Sequence, residues 1–308
     1  MKKLLFFLLM LMSGIIPVLS QNEDIKGQII EYLQFKSDHI TPRNISVWLP
    51  ENYNHEKKYA VIYMHDGQML FDHKTTWNNQ EWKVDETIDR LLKENLIVDC
   101  IVVGIWNIEN DRFYDYFPQK TWNYIPDNKK TALLPDIDHA RLNADNYLKF
   151  ITTELKPFID ITYSTYQDKN NTFLLGSSMG GLISLYGLCE YPDIFGGAAC
   201  LSVHSPMVTS KLLTMELSEI IAPAFCLYLQ TNLPETNSCH IYMDLGNQTL
   251  DALYIPFQNN INDVFWKKGW KLPYWTTNYY PGTAHSEKDW ADRLATPLLF
   301  LLQTQPSK

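Results

Sequence analysis

A largely parallel β-sheet with helices packed on both of its faces is the fold class this sequence predicts, on three observations. Short apolar runs rich in strand-forming residues alternate with longer stretches of helical spacing. Several of the runs are apolar at every position, as strands covered on both faces must be. No repeat, low-complexity segment or linker breaks the alternation, so residues 21–308 are expected to form a single α/β domain.

The first twenty residues stand apart. Lys2 and Lys3 precede an apolar run at residues 4–12, then come Gly14, Pro17 and the small residue Ser20. A basic start, an apolar stretch too short to span a bilayer and a small residue before the break together predict a cleaved signal peptide over 1–20. The mature chain is therefore expected to be secreted or periplasmic, with no stable membrane insertion after cleavage. Strands are expected at 45–49, 60–64, 101–105, 172–175, 197–201 and 240–243, and helices within 82–96 and 183–188. Residues 107–145 break the pattern, because Phe113, Tyr114, Tyr116, Phe117, Trp122 and Tyr124 sit there among charges and prolines. Such a segment is either a lid or pocket wall, or an insertion packed on the surface.

Composition narrows the function classes. The formal charge is −9, with 35 acidic residues against 26 basic ones and no basic stripe, which argues against a nucleic-acid partner. Cys100, Cys189, Cys200, Cys226 and Cys239 are scattered and odd in number, without the spacing of a zinc site. Most are expected to be core thiols, with room for one or two disulfides in an oxidising compartment.

The strongest chemical signal is Gly176-Ser177-Ser178-Met179-Gly180, placed after an expected strand and before an expected helix. A serine hydroxyl is a poor nucleophile and must be presented on a sharp strand-to-helix turn where a base reaches it. Glycines two residues to either side relieve crowding there, and the helix start supplies N–H groups for a developing oxyanion. The first such donor is expected at Met179. A second is expected from the loop after an early strand, where Gly67 in His65-Asp66-Gly67-Gln68 lets the backbone N–H of Gln68 approach. His65 and Asp66 themselves are expected to be satisfied structural residues.

A base and an orienting acid should follow Ser178 in the order acid, then histidine. His204, His240 and His285 are the histidines beyond it. His240 begins an apolar run and reads as a strand residue; His204 lies just past a strand end and reads as a pocket-rim residue. His285 follows a strand-then-loop pattern, and Ser286 with Asp289 reads as the cap of a last helix, so His285 is the expected base. Asp244, at the end of the strand at 240–243, and Asp251, opening the next helical stretch, both qualify as the acid; residue patterns leave the two open.

Assembled, these motifs resemble the Putative esterase family, which includes S-formylglutathione hydrolase, enterochelin esterases, feruloyl and acetyl-xylan esterases and mycolyltransferases. The resemblance runs from Arg43-Asn44-Ile45 and Val47-Trp48-Leu49-Pro50 through Met64-His65-Asp66-Gly67-Gln68, with Leu70-Phe71-Asp72, and Gly176-Ser177-Ser178-Met179-Gly180-Gly181. It continues in Asp244-Leu245-Gly246, Leu250-Asp251, Gly282-Thr283-Ala284-His285-Ser286-Glu287 and Trp290. It implies the α/β-hydrolase fold, Ser178 as nucleophile, His285 as base, Met179 and Gln68 as oxyanion donors, and Asp251 rather than Asp244 as the acid.

The expected function is hydrolysis of a small-molecule or carbohydrate ester through an acyl-enzyme, with no metal or organic cofactor. Trp106, Trp122, Tyr124, Trp275, Tyr279 and Tyr280 suggest a grip on a sugar or an aromatic acyl group, hence acetyl or feruloyl esters. The rival expectations are an acyltransferase of the same fold and a catalytically silent ligand-binding relative.

Overall fold

The computed structural model describes residues 17–19, 24–133, 137–208 and 215–304. Its centre is a nine-stranded sheet among the described residues, in the order β1-β2-β3-β5-β4-β6-β7-β8-β9. The strands are β1 (Pro17–Leu19), β2 (Gln28–Phe35), β3 (Arg43–Leu49), β4 (Ala60–His65), β5 (Cys100–Ile105), β6 (Thr172–Ser177), β7 (Gly197–Leu201), β8 (His240–Leu245) and β9 (Trp275–Tyr279). β1, β2, β3 and β5 are each antiparallel to the next, while the six strands from β5 to β9 across the sheet are parallel. Every residue of β4, β5, β6 and β7 is buried, the two-sided covering that their continuous apolar runs predict.

The period of two divides these strands between two cores. Val61, Tyr63, Leu174 and Ile241 face one side. There they meet α4 (Ala144–Phe150), α5 (Lys156–Thr162), α6 (Met179–Glu190), α7 (Met215–Asn232) and α8 (Leu250–Lys267). Ala60, Ile62, Met64 and Leu175 face the other, against α1 (Val84–Lys93), α9 (Glu287–Arg293) and α10 (Ala295–Leu302). α6 is buried along its whole length except its last residue, which explains why its sequence shows no polar face.

The aromatic segment at 107–145 folds into α2 (Arg112–Tyr116), α3 (Asp127–Leu133) and short tight turns. Tyr116, Phe117 and Trp122 join the first core, and Asp115 pairs with the buried Arg43 of β3 at 2.9 Å. Its residues 134–136 lie outside the described residues. So do 1–16 and 20–23 of the expected signal segment and its junction, whereas Pro17–Leu19 forms the three-residue edge strand β1. All five cysteines are free thiols. Among the described residues no helix is long and apolar enough to cross a membrane.

Parallel strands in register bring their C-terminal ends to one edge. Met64 lies opposite Leu175, Ser177 opposite Leu201, Leu201 opposite Asp244, and Leu245 opposite Tyr279. Gln68, Ser178, Met179, Asp251 and His285 all follow those ends in the chain, and Asp244 lies next to the end of β8.

Candidate active site

Ser178 stands between β6 and α6 with φ 55° and ψ −122°, a conformation sparsely allowed for a side chain. Its N–H bonds the Leu201 carbonyl at 2.9 Å, and its carbonyl accepts from Leu182 and His204 at 3.1 Å each. A Cβ on Gly176 would come within 2.6 Å of the Gly180 backbone, so the turn is this tight only because position 176 has no side chain. Met179 opens α6, where the first N–H groups have no partner within the helix and carry its positive end.

The loop after β4 packs on this turn. A Cβ on Gly180 would lie 3.3 Å from Asp66 Oδ2 and from His65 Cβ, and one on Gly67 would strike the Gly104 backbone at 2.5 Å. Gln68 follows in a short turn, half-buried, its Oε1 accepting from the Asn107 N–H at 3.1 Å. Asp66, at φ 59°, is gripped by Arg112 through Nε and Nη2 at 2.7 Å each and by Asn107 Nδ2 at 2.6 Å. Burial would raise its pKa; Arg112 and Asn107 outweigh burial and hold the carboxyl below the usual carboxylate range. The segment at 107–145 thus supplies the anchors of the expected oxyanion loop. His65 bonds Tyr147 Oη at 2.8 Å, and burial pushes its pKa down to about 3, so it sits neutral in the core as a structural residue.

The two candidate acids separate cleanly. Asp251, fully buried at the start of α8, places Oδ1 2.6 Å from His285 Nδ1. Its Oδ2 accepts from Ser202 Oγ and from the Gly246 N–H, both at 2.7 Å. Burial again works to raise this pKa, and the bonds from His285, Ser202 and Gly246 bring it below the ordinary value. Asp244 is bound instead by Arg293, through Nε and Nη2 at 3.0 Å each, and by Tyr242 Oη at 3.1 Å. The two carboxylates meet through Ser202, whose hydroxyl donates to Asp251 and accepts from Arg293 Nη2 and Trp290 Nε1 at 3.0 Å each. Asp244 therefore stands behind Asp251, anchoring the guanidinium that fixes Ser202.

His285 is clamped. Its N–H bonds Thr249 Oγ1 at 2.9 Å, and its ring lies edge-on between Trp290 at 4.9 Å and Tyr254 at 5.4 Å. An ionised carboxylate only accepts, so the Nδ1 of His285 carries the proton of its bond to Asp251. Among the described residues no hydrogen bond joins Ser178 to His285. The ring of Tyr254 packs on His285 at 5.4 Å, beside the place where a serine-to-imidazole bond would form. Bonds of this kind often close only when a substrate is held.

His204 differs from its expected place on a pocket rim. It is 5% exposed, bonded to Tyr254 Oη at 2.5 Å and to the Val208 carbonyl at 2.6 Å. His240 starts β8 and packs on Tyr274 and Phe300, as a strand residue should. Tyr254, Ser202, Arg293 and Arg112 escaped the sequence reading. Tyr254 could have been found, because it lies three residues after Asp251 on the same helix face; Arg293 carries no local signal. Among the described residues no group of three His, Cys, Asp or Glu is placed to hold a metal ion.

Comparison with known proteins agrees with this architecture. The model of the family described as Putative esterase matches residues 40–301. An uncharacterized protein of Bacillus subtilis, YjcH, is 26% identical over 211 residues, covering 68% of this chain and 75% of its own length. An endo-1,4-beta-xylanase/feruloyl esterase of Xylanibacter ruminicola is 26% identical over 202 residues, 62% of this chain but only 24% of that protein. The solved structure of a ferulic acid esterase from Anaeromyces mucronatus in complex with ferulic acid superposes with a TM-score of 0.61 at 18% identity. That match covers 91% of this chain and 93% of the other.

His65 makes a prediction about acid stability. The folded imidazole takes a proton only near pH 3, whereas an unfolded one takes it near 6.5. The unfolded state thus binds more protons in that window, and stability falls as pH falls, by about 1.4 kcal/mol per unit from this residue. In urea unfolding between pH 6.5 and 4, wild type minus His65→Gln should narrow by about that slope. A difference that does not change with pH would contradict a buried neutral His65.

Proposed function

The chain belongs to the Putative esterase family and so hydrolyses carboxylic esters, and from that premise we propose that it does so by acyl transfer through Ser178. The observation that carries the reading is the Asp251–His285 bond behind a serine held on a strained turn. Ser178 turns its hydroxyl to Nε2 of His285, gives up its proton and attacks the ester carbonyl. The backbone N–H groups of Met179 and Gln68 receive the oxyanion, and Asp251 holds the imidazolium that forms. The collapsing intermediate expels the alcohol with the proton from His285. Water, deprotonated by the same imidazole, then attacks the acyl-enzyme and frees Ser178.

For the substrate we infer an acetyl or feruloyl ester of a carbohydrate. One curated relative bears the name feruloyl esterase, and a structure of like fold holds ferulic acid. Of the aromatics that the sequence suggests as a grip, Trp122 and Trp275 are core residues and Tyr279 is 56% exposed. Trp77 adds a platform that the sequence reading missed. It is 82% exposed and precedes Asn78, whose amide donates to Glu287, two residues past His285, at 2.7 Å. An exposed indole beside the base loop suits stacking on a sugar or an aromatic acyl group.

Residues 1–20 we read as a signal peptide, on the basic start and short apolar run. Cleavage there removes β1, a three-residue strand at the sheet edge. Mass spectrometry of protein recovered from a secreting host should find Gln21 as the first residue; an intact start would overturn the reading.

The mechanism is tested with feruloyl, acetyl-sugar and short-chain esters. Ser178→Ala should lower kcat by about a thousandfold or more, and Asp251→Asn by about a thousandfold. Asp244→Asn leaves Arg293 without its buried partner, so it should lower the unfolding free energy by about 3–5 kcal/mol while the folded enzyme keeps most of its turnover. A larger catalytic loss for Asp244→Asn than for Asp251→Asn would reverse the two roles.

A further inference from the structure

We propose that His204 is a positioning residue, a strut that holds the Ser178 turn in register with the Asp251–His285 pair. The proposal rests on reading Ser178 as the nucleophile and His285 as its base. Among the described residues no hydrogen bond joins those two, so their separation is set by whatever holds both. The segment after β7 does so. It grips the Ser178 backbone from two sides: the Leu201 carbonyl accepts the Ser178 N–H at 2.9 Å, and the His204 N–H donates to the Ser178 carbonyl at 3.1 Å. Its side chains reach the first turn of α8, Ser202 bonding Asp251 at 2.7 Å and His204 Nδ1 bonding Tyr254 Oη at 2.5 Å.

Asp251 and Tyr254 stand one helical turn apart on the same face of α8. Both touch His285, the carboxylate through its 2.6 Å bond and the tyrosine through ring packing at 5.4 Å. His204 thus bonds the nucleophile's backbone with its own backbone, and a neighbour of the base with its side chain. The protons along this link can be assigned. The Val208 carbonyl only accepts, so the 2.6 Å contact puts a proton on His204 Nε2. Burial pushes the His204 pKa down to about 4 and leaves the ring neutral near pH 7. Its Nδ1 is then a bare acceptor, and the Tyr254 hydroxyl donates to it. Both nitrogens belong to one flat ring, so bonds at the two of them leave it no freedom to turn.

Cutting the strut at either end should then have the same effect, and cutting both ends should add nothing, because the two changes remove one bond. His204→Leu removes the acceptor. Tyr254→Phe removes the donor and keeps the ring that packs on His285. His204→Asn keeps an acceptor where Nδ1 stands. If the two side chains served packing alone, their losses would combine and the asparagine would restore nothing.

The test is the second-order rate of fluorophosphonate labelling of Ser178 near pH 7, read by mass spectrometry on full-length protein, with melting temperatures as a check on folding. His204→Leu and Tyr254→Phe should each slow labelling about tenfold, inside the hundredfold that a misplaced reacting group can cost. The double variant should be no slower than the slower single one, and His204→Asn should recover most of the rate. Unchanged labelling in folded His204→Leu overturns the proposal while leaving the esterase mechanism intact. So do single effects that multiply in the double variant, or a folded His204→Asn as slow as His204→Leu. If His204→Leu does not fold, Tyr254→Phe decides, and unchanged labelling there overturns the proposal. Wild-type protein that takes no label on Ser178 removes the mechanism and this proposal together.

Discussion

A buried negative charge must be answered by donors, and the site is organised around answering the one on Asp251. Its two oxygens accept three bonds, from His285, Ser202 and the Gly246 N–H, and each donor comes from a different strand-end loop. Satisfying the charge therefore fixes the loops after β7, β8 and β9 relative to one another. A Cβ on Gly246 would meet Asp251 Oδ2 at 2.8 Å and the Thr283 carbonyl at 2.4 Å, which shows how closely the segments of Asp251 and His285 are packed. Asp244 and Arg293 extend the same logic one layer deeper, by holding Ser202 with its single proton aimed at Asp251.

Backbone strain gathers at the same edge. Asp66, Ser178, Ser202 and Thr249 all have positive φ, between 42° and 59°, although none is glycine. Each lies just past a strand end or, for Thr249, just before α8. Conformations of this sort cost on the order of 1–3 kcal/mol each and persist where surrounding structure over-determines them. Here the fully buried strands β4, β6 and β7 are that structure, and the two helical layers hold them rigid. Stability gathered in the sheet supports precision in the loops.

The sequence reveals this design unevenly. Strands buried on both faces are legible because their runs are apolar throughout, and the strands expected at 60–64, 101–105 and 197–201 match β4, β5 and β7 to within a residue. β2 is harder to see, since its buried residues Ile29, Tyr32 and Phe35 fall three apart instead of two and the register shifts between Tyr32 and Phe35. The turn at Ser178 announces itself by its glycines, and the cap at Ser286 forms as its spacing implies, with the side chain accepting from the Asp289 N–H. What residue patterns alone could not supply is the choice between Asp244 and Asp251, which only the family resemblance tips towards Asp251. That choice depends on which carboxylate Arg293 occupies, and Arg293 is 49 residues from Asp244 with no motif around it. His204 escaped for a similar reason: its partner is a tyrosine 50 residues away, so nothing near it marks it as buried.

The most direct probe of the whole account is the proton between Asp251 and His285. Held between Oδ1 and Nδ1 at 2.6 Å and shielded by Trp290 and Tyr254, it should give a proton magnetic resonance signal well downfield of the amide region. The account predicts that this signal is present in the native protein and missing when position 251 carries an amide in a folded chain. A folded native protein without it in the cold, or a signal that survives the loss of that carboxylate, would mean that Asp251 does not orient the base.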